Sequence, residues 1–295
     1  MAYAQTGSLA LFYEQTGSGI PVVFVHEFSG DHRSWEPQVR YFSRRYRCIT
    51  YAARGYPPSD VPEDPVQYSQ DHAVADLLAL LDHLEIDRAH IVGLSMGGFT
   101  TLHFGLRHPD RARSLAIAGV GYGSTADHDQ SWLDDVAGLA DFYAEDVAAA
   151  AASHGSAPGR VAFMVKDPRG WEEFAAQLAE HSGAGSALTM RGVQGGRPNL
   201  YDLREELAAL TVPLLVITGD EDEPCLEPSV FLKRTVRTAG LAILPRSGHT
   251  VNLEEPAMFN QLVQDLLTTV DAGRWTARDP RSVGGRQLGH RPRSG

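Results

Sequence analysis

The amino-acid sequence predicts an α/β fold, a mostly parallel central sheet flanked by helices and carrying a helical insertion. Three observations predict it. Short, wholly apolar runs such as Pro21-Val-Val-Phe-Val25 and Val212-Pro-Leu-Leu-Val-Ile-Thr218 have the make-up of strands buried on both faces. Segments of helical periodicity stand between such runs, and a strand-helix-strand rhythm builds a parallel sheet covered on both sides. Between residues 121 and 197 the rhythm stops, and helical patterns with glycine joints take its place.

In chain order, Ser8 to Glu14 alternates weakly and reads as an edge strand, and Pro21 to Val25 is the first fully buried one. A helical pattern from Trp35 to Arg44 leads to the strand Arg47 to Tyr51. A second, Ser69 to Leu84, leads to the apolar run Ala89-His-Ile-Val92, and a third, Met96 to Arg107, leads to Arg113 to Ala118. Inside the insertion, Asp135 to Ala152 and Trp171 to Glu180 have helical composition, and Gly183, Gly185, Gly192, Gly195 and Gly196 supply joints. Val212 to Thr218 and Leu241 to Pro245 resume the strands. The expected division is a core of residues 1–120 and 198–272, an insertion at 121–197, and a tail at 273–295. That tail is rich in Arg and Gly and poor in apolar residues, so it is expected to be solvated.

At 295 residues the chain can bury one large core and still carry the insertion. Its formal net charge of −11 argues against nucleic acid or an anionic membrane as partner, since both reward clustered Lys and Arg. No apolar run approaches a membrane span, and the first residues show neither the basic region nor the apolar core of a secretory leader. Cys48 and Cys225 offer no disulfide framework, which suits a reducing cytoplasm. The expected partner is a small molecule, and a homo-oligomer is left open.

The most informative segment is Gly93-Leu94-Ser95-Met96-Gly97, directly after one apolar run and directly before a helical stretch. A G-x-S-x-G turn from strand to helix exposes its serine as a nucleophile, and the turn is so sharp that its neighbours must be small. A hydroxyl needs an imidazole to take its proton and a carboxylate to orient the imidazole. Both follow in that order: Gly219-Asp220-Glu221-Asp222 ends one strand, and Arg246-Ser247-Gly248-His249 ends the next. Chain position alone leaves the acid open between Asp220 and Asp222.

These segments, together with His26, Arg54-Gly55 and Glu254-Glu255-Pro256, make the chain resemble the α/β-hydrolase fold family, of the serine esterase and lactonase type with a helical cap. The resemblance implies Ser95 as nucleophile, His249 as base and Asp222 as acid, in a Gly-x-x-Asp arrangement. It also implies an oxyanion hole made by the backbone N–H groups of Phe28 and Met96, whose side chains would line the acyl pocket, and the insertion as a cap over the site. Candidate substrate contacts are Phe142, Phe163 and Trp171 in the cap, together with Glu27; the other reading of these aromatics is the private core of a helical subdomain. No metal and no cofactor are expected.

Glu27 departs from the pattern, because the family has glycine after the histidine. A carboxylate beside an oxyanion hole opposes the developing negative charge, so Glu27 is expected to face outward or to pair with a donor such as Arg33. His26-Glu27 lacks the second histidine of a zinc protease, since Gly30 occupies that place, and His26 reads as structural. His103, His108 and the Arg54 loop also read as structural, and Cys225 as a small apolar filler. The expected activity is hydrolysis of a carboxylic ester or lactone. The same triad also serves hydrolysis of carbon–carbon bonds, haloperoxidase-like perhydrolysis, and ligand-binding receptors that retain it.

Overall fold

The computed structural model describes residues 2–7, 9–127 and 130–283. Eight strands form one sheet: β1 (Ala2–Thr6), β2 (Leu9–Thr16), β3 (Pro21–Val25), β4 (Arg47–Tyr51), β5 (Ala89–Leu94), β6 (Ala112–Ala118), β7 (Leu214–Gly219) and β8 (Ala239–Leu244). Their order across the sheet is β1-β2-β4-β3-β5-β6-β7-β8, antiparallel at β1/β2 and β2/β4 and parallel throughout the rest. β1 is an element that the sequence reading did not contain. It pairs with β2 from Ala2 opposite Tyr13 to Thr6 opposite Leu9 and forms the sheet's outer edge.

The helices are α1 (Glu36–Phe42), α2 (Gln70–His83), α3 (Met96–Arg107), α4 (Ser131–Glu145), α5 (Val147–Gly155), α6 (Val161–Lys166), α7 (Pro168–Leu178), α8 (Gly183–Thr189), α9 (Arg204–Ala209), α10 (Glu223–Thr235), α11 (Val251–Glu254) and α12 (Pro256–Asp271). The stretch expected as one helix from Asp135 to Ala152 is two. Asp146 leaves helical geometry and caps α5 by accepting from the Ala149 N–H at 3.0 Å, the preferred use of an aspartate at a helix start.

Period-two alternation in the parallel strands decides which helix covers which face. Val23, Val25, Ile49, Ile91 and Leu115 pack with Leu77 and Leu80 of α2, Leu102 of α3 and Leu232 of α10. Val22, Phe24, Val92 and Ile217 pack on the other side with Phe42 of α1 and Phe259, Val263 and Leu267 of α12. Helices α4 to α8 have a third core of their own, including Val136, Tyr143, Phe163, Phe174 and Met190, and it continues into Phe28, Tyr56 and Met96 of the sheet's loops.

The expected tail lies mostly outside the described residues. Its first part is held: the Trp275 indole N–H donates to the Thr238 carbonyl at 2.8 Å, the Arg278 N–H donates to the Arg237 carbonyl at 2.8 Å, and the Trp275 ring packs against the α12-side core. Among the described residues no helix is long and apolar enough to cross a membrane.

Candidate active site

Strands β3 and β5 are neighbours, although the chain visits β4, on the far side of β3, between them. The direction of winding therefore reverses here, and the loops after β3 and β5 diverge to leave a crevice at the strands' C-terminal ends, where open α/β sheets bind ligands. The β3 loop carries His26 to Phe28, and the β5 loop carries Ser95.

Ser95 has φ 52° and ψ −116°, a backbone conformation that a non-glycine residue holds only when its surroundings over-determine it. The surroundings are tight. A Cβ on Gly97 would strike the Val25 carbonyl, and one on Gly93 would strike the Gly97 carbonyl, so α3 approaches the sheet as closely as backbone allows. The Ser95 N–H is tied to the Ala118 carbonyl of β6 at 2.8 Å.

The β7 and β8 loops place the two candidate carboxylates differently. Asp222 is 1% exposed, and its Oδ2 lies 2.8 Å from His249 Nδ1. Asp220 is exposed and accepts the Ser247 N–H at 3.2 Å, which braces the histidine loop without reaching the ring. Burial pushes the Asp222 carboxyl up, but the charge and hydrogen bond of His249 outweigh it and hold the group below its ordinary value. Cys225 is buried and close to this pair, and burial raises its thiol well above the usual range, so it remains an inert neutral neighbour. The Tyr122 ring packs edge-on against the His249 imidazole at 4.9 Å.

The β3 loop holds a fixed backbone without glycine at position 27. The Ala53 N–H donates to His26 Nε2 at 2.9 Å, which leaves the proton on Nδ1 to be donated to the Glu27 carbonyl at 2.7 Å. The Gly30 N–H reaches the same carbonyl at 3.3 Å. A trans peptide holds its C=O and N–H antiparallel, so fixing the Glu27 carbonyl turns the Phe28 N–H the opposite way. Neither the Phe28 nor the Met96 N–H has a hydrogen-bond partner among the described residues.

The Glu27 side chain is paired, but not with Arg33, which is taken up by Asp31 and by Glu180 at 2.8 Å. Its partner is Arg160, in a 3-10 turn at Pro158–Arg160 within the insertion. One Arg160 nitrogen donates to Glu27 Oε1 at 2.8 Å and to the Thr250 hydroxyl, and the other donates to Glu27 Oε2. The two residues are 2% and 3% exposed. Burial would raise the Glu27 carboxyl and lower the guanidinium, but each partner's charge and hydrogen bonds win, so both stay ionised. The preceding carbonyl, of Gly159, accepts the His249 N–H at 2.9 Å. A single turn of the insertion thus touches the His249 loop through Gly159 and the β3 loop through Arg160.

Ser95, His249, Phe28 and Glu27 open onto one cleft of about 650 Å³. Trp132, Val136, Leu139 and Met190 of the insertion line it on one side, and His154, Gly159 and Arg160 on another. Three expected contacts are not on this wall. Trp171 donates its indole N–H to the Gly155 carbonyl at 2.8 Å, a fastening inside the insertion. Phe163 meets Phe174 edge-on at 5.9 Å, and Phe174 in turn sits 5.2 Å beneath the Arg160 guanidinium, so both act from behind. Phe142 packs into the insertion's own core. Trp132, Asp135, Val136 and Leu139 of α4 line the cleft, and Phe142, further along the same helix, is not among its lining residues. The Met96 side chain also faces away, into a second cavity shared with His26, Arg54 and Tyr68.

Arg160, His154 and Tyr122 were missed by the sequence reading. Arg160 and Glu27 are 133 positions apart, and nothing local to either marks the pairing.

The fold and the crevice define a class. A model of the α/β hydrolase fold family matches residues 20–226, and the chain belongs to that family. It is 28% identical over 247 residues to 3-oxoadipate enol-lactonase 2 of Acinetobacter baylyi, an alignment covering 83% of this chain and 88% of that one. It is 30% identical over 270 residues to 2-hydroxymuconate semialdehyde hydrolase of Pseudomonas sp. strain CF600, covering 87% and 90%. Among solved structures, the enol-lactonase from Burkholderia xenovorans LB400 is similar with a TM-score of 0.78 at 26% identity, covering 90% of this chain and all of that one.

Proposed function

We propose that the protein is a serine hydrolase that cleaves a carboxylic ester or lactone through an acyl-enzyme. The observation that carries this is the buried Asp222–His249 hydrogen bond of 2.8 Å, opening with the strained Ser95 onto one cleft. Asp222 holds the proton on Nδ1, which leaves Nε2 as the base that takes the proton of Ser95 Oγ as it attacks the carbonyl carbon. The carbonyl oxygen becomes an oxyanion between the unpartnered Phe28 and Met96 N–H groups. His249 then returns the proton to the departing alkoxide, which leaves as the alcohol, or stays attached if the substrate is a lactone. Water repeats the sequence on the acyl-enzyme and frees the acid and Ser95. As written, the cycle requires no cofactor.

The enol-lactonase relatives support the ester reading, and helices α4 to α8 act in it as the cap that selects the substrate. Both cysteines are buried free thiols, and we place the enzyme in the cytoplasm on that ground. In the test, Ser95→Ala abolishes both turnover of a panel of aryl esters and lactones and covalent labelling by an organophosphonate, with the melting temperature retained. Labelling at an unchanged rate overturns the assignment. A single slow turnover with a large ligand-induced stability shift would indicate a receptor instead.

A further inference from the structure

The wall of the cleft carries its own counter-charge. Of the residues lining it, Glu27, Asp135 and Arg160 are charged, and His154 stands among them as a neutral imidazole, held down to about 3 by burial and by the charge of Arg160. Among the described residues Arg160 is the one arginine or lysine on this wall. It is fully engaged: its fork binds both oxygens of Glu27 and the hydroxyl of Thr250, and its face lies over Phe174. Asp135, on α4, is exposed and has no ion-pair partner among the described residues. The next cation, Arg197, lies behind the wall. Its guanidinium is 3.7 Å from the centre of the Phe99 ring and donates to the Tyr122 carbonyl and to Gln194.

A carboxylate entering this cleft would give up its hydration, find the one arginine already neutralised by Glu27, and meet the unpaired carboxylate of Asp135. An uncharged chain meets Trp132, Val136, Leu139 and Met190 and gives up little. Resting on the hydrolase reading above, we propose that Glu27 is a specificity-determining residue: by occupying Arg160 it makes the site select esters and lactones with an uncharged acyl portion over those carrying a carboxylate. Without Glu27, Arg160 would be a buried, desolvated, two-pronged carboxylate receptor a short reach from Ser95. The position that breaks the family's sequence pattern is thereby the one that sets the charge of the substrate. The same wall disfavours ring-cleavage diketo acids, which are anions, as substrates for carbon–carbon hydrolysis.

The experiment compares p-nitrophenyl butyrate with the p-nitrophenyl monoester of succinic acid, which replaces the terminal methyl with a carboxylate. Rates are taken per organophosphonate-labelled Ser95 site. The wild type is expected to favour the neutral ester in kcat/KM by about thirtyfold or more, the scale of a carboxylate partly desolvated without a compensating partner. Glu27→Gln lowers that ratio at least about tenfold by freeing Arg160, and Glu27→Gln/Arg160→Gln raises it again. Asp135→Asn, on an exposed helix face, lowers it by roughly threefold. A poorly folding variant loses both rates together and leaves the ratio intact. If Glu27→Gln gives no folded protein, the wild-type ratio and Asp135→Asn decide. Equal turnover of both esters by the wild type, or an unchanged ratio in folded Glu27→Gln, overturns the proposal and leaves the hydrolase reading standing. Absence of turnover with Ser95 unlabelled overturns the hydrolase reading, and this proposal with it.

Discussion

Arg160→Gln tests how the insertion is attached to the chemistry. In the native protein the guanidinium and the Glu27 carboxylate are almost wholly buried and satisfy each other. Removing one partner of such a pair leaves a charge in the interior without compensation, at a cost of about 3–5 kcal/mol. The loss of the Thr250 hydrogen bond and of the contact with the Phe174 ring falls within that range. For a chain of this size each kcal/mol moves the melting temperature by about 2–4 °C, so a drop of roughly 6–20 °C is expected at pH 7.5. Glu27→Gln/Arg160→Gln removes both charges and keeps a pair of amides that can bond each other. It should lie within about 1.5 kcal/mol of the wild type, because a buried ion pair contributes little over a neutral replacement. The sign with pH is also fixed. With Arg160 gone, burial raises the Glu27 carboxyl above its unfolded value, so the folded state gains by taking up a proton and loses that gain as pH rises. The defect of the single variant should therefore be smaller at pH 5.5 than at pH 8. Urea denaturation of the wild type, Arg160→Gln, Glu27→Gln and the double variant at both pH values is the assay. Additive single-variant losses, with the double variant the least stable of the four, would refute the reasoning.

Other predictions concern the acid and the histidines. Asp222→Asn should lower kcat by about a thousandfold or more through the wrong imidazole tautomer, while Asp220→Asn costs less than about tenfold. The kinetics of the two purified variants decide this, and the reverse order would move the acid to Asp220. His90, His103 and His181 are buried and held down to about 4, chiefly by burial, against an ordinary value of 6.5. They are neutral in the folded state and take up protons on unfolding, so the stability they allow is complete above pH 6.5 and is lost as pH falls from there toward 4. At pH 5.5 each is expected to cost about 1 kcal/mol, and a urea midpoint that does not fall between pH 7.5 and 5.5 would count against it.

What the sequence determined by itself is what its local order encodes. The apolar runs are strands because four or five consecutive apolar residues bounded by turns are too short for a buried helix and suit a strand covered on both faces. Ser95 is at the elbow because Gly93 and Gly97 meet backbone there, and steric need of that kind is written in adjacent residues. His249 is similarly marked by its place after a strand. The tertiary structure decided whatever depends on residues distant in the chain. Asp220 and Asp222 are chemically alike and two positions apart, and only the packing of the β7 and β8 loops turns one to the imidazole and the other to the Ser247 N–H. Phe142, Phe163 and Trp171 have the composition of a substrate wall, yet the packing of the insertion on the sheet's loops places Trp132 and Leu139 there instead. Glu27 reads in sequence as a liability beside the oxyanion hole that the family resemblance implies. Its resolution is an arginine 133 residues away, because a long-range ion pair is fixed by how two surfaces meet and leaves no periodicity or spacing in the sequence.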